Sequence, residues 1–266
     1  MILKNLSKIY YVMVCVKRPF SVLLFLLKYR TNPLYYMDIT FKNNVKIENT
    51  TPGMAWSLIT YYYWAGKLHL FSDEDIMDLA STGSEISKKL VENLGTNTGY
   101  FRSIQGKDAL LYMLIRTYRP EICVETGISA GFSTYYILKA LEKNGSGTLI
   151  SIDIKDEVTM ANKKFMAGWL VPDNLKNRWQ KVIESSDIAL TAISLKIDFF
   201  VHDSMHSEEY MLREYLWAME HLNINGILAS DDIDWNDAWK KFIRQHNNFK
   251  EMIKTPTFGV AIKKYN

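Results

Sequence analysis

From residue 108 onward, short apolar runs alternate with amphipathic stretches, and this alternation restricts the possible folds more than any other feature of the chain. Ile122 to Thr126, Leu149 to Ile152, Lys181 to Ile183, Ile197 to His202 and Gly226 to Ala229 read as buried strands. Between them, Asp108 to Tyr118, Phe132 to Lys143, Glu157 to Trp169 and Ser207 to Leu222 read as helices. Pro120 stops the first of these and Asn144-Gly145 the second. A chain that repeats strand and helix in this way places its strands parallel, with helices covering both faces.

The C-terminus departs from the pattern. Trp235 to Gln245 reads as helix, and Glu251 to Thr255 and Phe258 to Lys263 read as two strands joined by Pro256-Thr257. So short a connection permits only an antiparallel pair. The expected fold is therefore α/β: a doubly wound, Rossmann-like seven-stranded sheet, mostly parallel, with an antiparallel C-terminal hairpin and a helical N-terminal extension. At 266 residues with 48% apolar composition, the chain can fill one large domain with additions.

Three regions follow: a basic apolar segment over residues 1–30, a helical cap or substrate region over 31–100, and the regular domain over 101–266. The first 37 residues hold six basic side chains and no acid, so the remainder carries −3 against a total of +3. The apolar runs Ile9 to Val16 and Phe20 to Leu27 are split by Lys17-Arg18-Pro19, and neither reaches the roughly 20 residues that span a bilayer. Two uses stay open, packing on protein (the body or a second subunit in a homo-oligomer) and lying on an anionic membrane surface. In the second region Met54 to Trp64 carries Trp56, Tyr61, Tyr62, Tyr63 and Trp64, which suit either a core or a cap over a site. Asp73 to Ala80 and Ser84 to Leu94 read as two helices. Two cysteines far apart, Cys15 and Cys123, point to no disulfide framework and a reducing cytoplasm, with contact at the inner face of the membrane if residues 1–30 bind it. The small net charge gives no argument for nucleic acid.

The strand Ile122 to Thr126 runs into Gly127-Ile128-Ser129-Ala130-Gly131-Phe132-Ser133, a glycine turn that admits a ligand against the backbone. Asp153 closes the next strand, where a carboxylate accepts the hydroxyls of a ribose. The spacing Glu125-x-Gly127-x-x-x-Gly131 is not the dinucleotide fingerprint, and an acid at the strand end suits a ligand with an ammonium group, such as the amino-acid end of S-adenosylmethionine, better than a pyrophosphate. The competing structural reading has the glycines serving only the turn and the carboxylate capping the neighbouring backbone.

Together with Asp198 to Ser207, which contains Asp203-Ser204-Met205-His206, and Gly226 to Asp232, these motifs resemble the class I S-adenosylmethionine-dependent methyltransferases. The metal-dependent O-methyltransferases are the nearest group, the macrolide sugar O-methyltransferases among them and catechol O-methyltransferase more distant. The likeness covers residues 100 to 266. It implies that Glu125, Thr126, Gly127, Ser129, Gly131 and Ser133 hold the methionine portion, with Asp203 also on the cofactor side, and that Asp153 holds the ribose. Where the family often has Gly-Asp-Ser, the chain reads Glu184-Ser185-Ser186-Asp187; Ser186 is expected at the adenine edge and Asp187 at its exocyclic amine.

Asp203, Asp231 and Asp232 stand at the ends of two strands, where open parallel sheets bind ligands. Three converging carboxylates need a cation, and hard oxygen donors suit Mg²⁺, with two positions left for a vicinal diol. The alternative is that these acids cap the adjoining helices. His206, three residues after Asp203, is the expected base for an acceptor hydroxyl, and Asp203 its catalytic companion. His202 alternates away from them and is expected to pack. The leading expectation is an S-adenosylmethionine- and Mg²⁺-dependent O-methyltransferase acting on a small molecule or glycan, a sugar or other diol, with a lipid-linked glycan if residues 1–30 lie on a membrane. The rivals are an NAD-dependent oxidoreductase and a non-catalytic methyltransferase-like binding or scaffold protein.

Overall fold

The structure, a computed structural model, describes residues 73–95, 107–255 and 257–265. The basic segment 1–30 and the aromatic cluster Met54 to Trp64 lie outside the described residues. Two compact units divide the chain, Met1–Met113 and Leu114–Asn266. Among the described residues no helix is long and apolar enough to cross a membrane.

In the first unit, α1 spans Asp73–Leu94 as a single helix. The break expected between Ala80 and Ser84 does not occur. Gly83 is buried within the helix, and Thr82 Oγ1 donates to the Asp78 carbonyl one turn back at 2.8 Å, which leaves the helical path intact. Leu79, Ile86 and Leu90 bury one stripe of it. The helix α2 spans Lys107–Tyr118, and its Tyr112 hydroxyl donates to Asp78 at 3.0 Å.

In the second unit, β1 (Ile122–Thr126), β2 (Thr148–Asp153), β5 (Trp179–Ile183), β6 (Ile197–His202), β7 (Leu222–Ser230), β8 (Phe249–Lys254) and β9 (Gly259–Lys263) form one sheet in the order β5-β2-β1-β6-β7-β9-β8. Pairings from β5 through β7 are parallel. The last strand, β9, enters antiparallel between β7 and β8, so the expected hairpin is present and wedged into the sheet rather than appended to it. The crossover helices are α3 (Phe132–Asn144), the short α4 (Ser186–Ala189), α5 (Glu208–His221) and α6 (Ala238–Gln245). The last begins after Asp237, leaving Trp235 in the preceding turn, where its N–H donates to the Asp232 carbonyl at 3.1 Å.

Residues 157–169 form a hairpin and a turn, not the expected helix: β3 (Glu157–Met160) pairs antiparallel with β4 (Lys163–Met166), and 167–169 turn away. Ala161 and Asn162 at φ 48 and 61 make a tight turn whose twist matches paired strands. Phe165 of β4 stacks on Trp169 in the turn beyond, with ring centroids 4.4 Å apart.

One core cluster joins Val124, Phe200 and Leu228 from the sheet to Met211, Tyr215 and Ala218 of α5 and to Trp239 and Phe242 of α6. The buried face of α5 is Met211, Glu214, Tyr215 and Ala218. Leu216 is exposed, while Glu214 takes a place within the buried face. Burying this apolar surface at roughly 25 cal/mol per Å² is what holds the helices to the sheet. It also fixes the strand ends, where the site lies.

Candidate functional site

Gly127 and Gly131 both adopt φ 90, a conformation that side chains disfavour. Space decides the matter as well. A Cβ on Gly127 would meet the Asp203 carbonyl oxygen at 1.9 Å, and one on Gly131 would meet the Gly168 Cα at 2.8 Å. The glycine loop is thus packed directly on the turn that follows β6, and the Asp203 N–H donates to the Thr126 carbonyl at 2.9 Å.

Glu125 is fully buried. Its carboxylate accepts from the Ser133 hydroxyl, from Thr134 Oγ1 at 2.7 Å and from Ser151 Oγ at 2.8 Å. Hydroxyls of α3 and β2 therefore surround the acid expected at the cofactor's ammonium group, and it binds the start of α3 to the sheet. Asp153 is half-buried. Its Oδ2 accepts from the Ile128 and Ser129 amides at 2.8 and 3.0 Å, and its Oδ1 from Lys155 N at 3.1 Å. With roughly four lone-pair sites on a carboxylate, these bonds hold the loop and leave acceptor capacity on the solvent side. Around it Ile154, Ile183 and Ile188 are exposed at the carboxyl ends of β2 and β5 and on α4, with Ile183 paired to Asp153 in register.

Ser186, expected at the adenine edge, has a buried hydroxyl that donates to Glu214 Oε1 at 2.5 Å and meets the Tyr210 hydroxyl at 2.7 Å. Asp187 pairs with Arg213 at 3.0 Å, both half exposed.

At the ends of β6 and β7, the His206 ring lies between two acids. Its Nδ1 is 3.4 Å from Asp232 Oδ2 and its Nε2 is 3.9 Å from Asp203 Oδ1. Asp232 is at φ 48, a left-handed residue on the turn that carries it to the histidine. Asn236 donates to the His206 carbonyl at 3.0 Å, tying the two loops together. Among the described residues no group of three or more His, Cys, Asp or Glu is arranged to hold a metal ion. The His206 imidazole lies between Asp203 and Asp232, two of the three acids expected at a cation. The Trp235 ring leans on His206 with centroids 5.0 Å apart, and both Trp235 and Met205 are exposed beside it.

His202 is wholly buried, at the end of a strand covered on both faces, with Nδ1 2.6 Å from Glu214 Oε2. Glu214 also accepts from Thr126 Oγ1 at 2.6 Å and Ser204 Oγ at 2.9 Å. Burial pushes this carboxyl up, but the hydrogen bond and charge of His202, with the Ser186 and Thr126 hydroxyls, hold it below the usual glutamate value. Sequence reasoning missed Glu214. The available signal was an acid spaced three residues from Met211 and four from Ala218, on the face that becomes core.

Residues 124–233 match the family model described as a methyltransferase domain. A search of curated proteins gives no match. Among solved structures, the fold is similar to cofactor-bound Rv0187 from MTB (14% identity, 71% of this chain and 90% of that one, TM-score 0.51). It is also similar to the O-methyltransferase TomG from Streptomyces achromogenes, involved in tomaymycin synthesis and solved with SAM (13%, 77% and 96%, 0.50). The O-methyltransferase from Bacillus cereus in complex with SAH is similar as well (13%, 79% and 99%, 0.50). With glycine loop, half-buried Asp153 and sheet order all in place, residues 124–233 are similar to a methyltransferase domain, and the fold is similar to that of these solved methyltransferases.

Proposed function

We propose that the chain transfers the methyl group of S-adenosylmethionine to a hydroxyl of a sugar or other diol, with His206 as general base. The observation that carries this reading is the His206 ring between Asp232 and Asp203, on a turn packed against the glycine loop through Gly127. TomG and the Bacillus cereus protein are named O-methyltransferases, which supports oxygen as the acceptor atom here.

The residues fit the cofactor by chemistry. Gly127 and Gly131 open the backbone, Asp153 keeps acceptor capacity for ribose hydroxyls, and the exposed isoleucines offer apolar surface to a purine. S-adenosylmethionine supplies an electrophilic methyl when bound. His206 takes the acceptor proton, the oxygen forms its bond to the methyl carbon as the bond to sulfur breaks, and the proton stays on the imidazole. Asp232 and Asp203 favour the resulting imidazolium by their charge. The Mg²⁺ expected from the sequence has no group of three or more His, Cys, Asp or Glu to hold it among the described residues.

Calorimetric titration with S-adenosylmethionine, S-adenosylhomocysteine and NAD tests the cofactor assignment. Binding of the first two is expected, and preference for NAD would sink it. Turnover on vicinal-diol sugars, followed as S-adenosylhomocysteine release with and without EDTA, tests the chemistry. Activity that survives EDTA supports a reaction run by the chain's own groups, and complete loss restored by Mg²⁺ would reinstate the ion.

A further inference from the structure

We propose that Glu214 is a positioning residue for methyl transfer, which fixes His206 relative to the glycine loop through its bonds to Thr126, His202 and Ser204. The inference rests on the reading of His206 as base. Four donors from separate pieces of chain converge on this one carboxylate: Thr126 at the end of β1, Ser186 opening α4, His202 at the end of β6, and Ser204 on the turn beyond. All four lie at the carboxyl ends of the parallel strands, where the cofactor and acceptor loops begin. Thr126 immediately precedes Gly127, and Ser204 immediately follows Asp203.

From Glu214 a line of contacts reaches the proposed base. The carboxylate holds His202 Nδ1, the His206 ring rests edge-on to the His202 ring with centroids 5.5 Å apart, and the far side of His206 faces Asp232. A buried acid is a poor device for stability alone, since apolar replacements of similar volume are often neutral or better. Its value is directional. Each hydrogen bond fixes where a strand end points, and packing alone does not specify that. Glu214→Gln keeps the shape but turns one acceptor oxygen into an NH₂ facing hydroxyl and imidazole donors, so part of the network must rotate away.

The test compares the full-length wild type, Glu214→Gln, His206→Ala and the double variant. Wild-type titration with S-adenosylhomocysteine tests the cofactor reading alone, and absence of binding sinks that reading whatever Glu214 does. In Glu214→Gln, kcat is expected to fall by roughly 10–100-fold, the order of loss that a misplacement of about 1 Å produces, with the KM for S-adenosylmethionine within about twofold of wild type. In the His206→Ala background the same substitution is expected to cost no further activity. Equal losses in both backgrounds would overturn the proposal. A readout independent of any acceptor is the ¹⁵N resonances of the His206 ring, which shift in Glu214→Gln if Glu214 sets the ring and stay in place if it does not. Should Glu214→Gln fail to fold, Ser204→Ala removes one donor of the four, and a His206 shift of the same sense is expected; unchanged resonances again overturn the assignment.

Discussion

A Cβ on Gly127 would stand 1.9 Å from the carbonyl oxygen of Asp203. The glycine loop after β1 and the acidic turn after β6 are therefore in close backbone contact. Gly127→Ala adds a methyl where no flexible neighbour can yield, in a backbone of φ 90. A loss of about 1–3 kcal/mol is expected from overpacking, with strain added. Binding of S-adenosylhomocysteine should weaken in parallel. Thermal melting and calorimetry on the variant check both, and a wild-type melting temperature would contradict the geometry.

His206→Ala removes the only imidazole between Asp203 and Asp232 among the described residues. Loss of a general base typically costs about 10²–10⁴-fold in rate, and kcat should fall within that range while S-adenosylhomocysteine still binds. Asp232→Asn keeps the shape and removes a charge that favours imidazolium, so its loss should be smaller. Rates for both variants on one diol acceptor decide the order.

Trp235 is exposed and tilted against His206. An indole there offers a flat face to whatever hydroxyl compound reaches the base. Trp235→Ala should raise the KM for the acceptor by about tenfold, the equivalent of the roughly 1.4 kcal/mol that an aromatic contact is worth. The KM for S-adenosylmethionine should hold. A loss confined to the cofactor KM would place the ring elsewhere in the mechanism.

Burial raises the Glu214 carboxyl, but His202 above all, with Ser186 and Thr126, brings it below its ordinary value. A carboxyl whose folded pKa lies below its unfolded one adds stability above the unfolded value and loses it as pH falls through the folded one. The stability gap between wild type and Glu214→Gln should therefore be widest at neutral pH and narrow as pH falls through and below the ordinary glutamate range. Denaturant midpoints along that series measure it, and a gap independent of pH would mean that the carboxyl is not ionised in the fold.

The hairpin at 157–166 shows how far local pattern reaches. Glu157 to Trp169 carries enough mixed polarity to read as helix, but the turn at Ala161-Asn162 reverses the chain and residues 157–166 pair with one another as strands. Ser186 shows the same limit at the site. Its position after β5 is legible, but the partner that takes its hydroxyl stands 28 residues away on α5.

The alternation of the main-sheet strands with their helices, the glycine loop, Asp153 and the placement of Asp203, His206 and Asp232 at strand ends were legible in the sequence, because periodicity and turn residues act over a few positions. Tertiary structure decided what those side chains touch. It enclosed Glu125 among hydroxyls, set His206 between two acids, and brought Glu214 to Thr126, 88 residues away. The physical reason is that hydrogen bonds and ion pairs between distant strand ends depend on how helices pack on the sheet, and no local spacing encodes that.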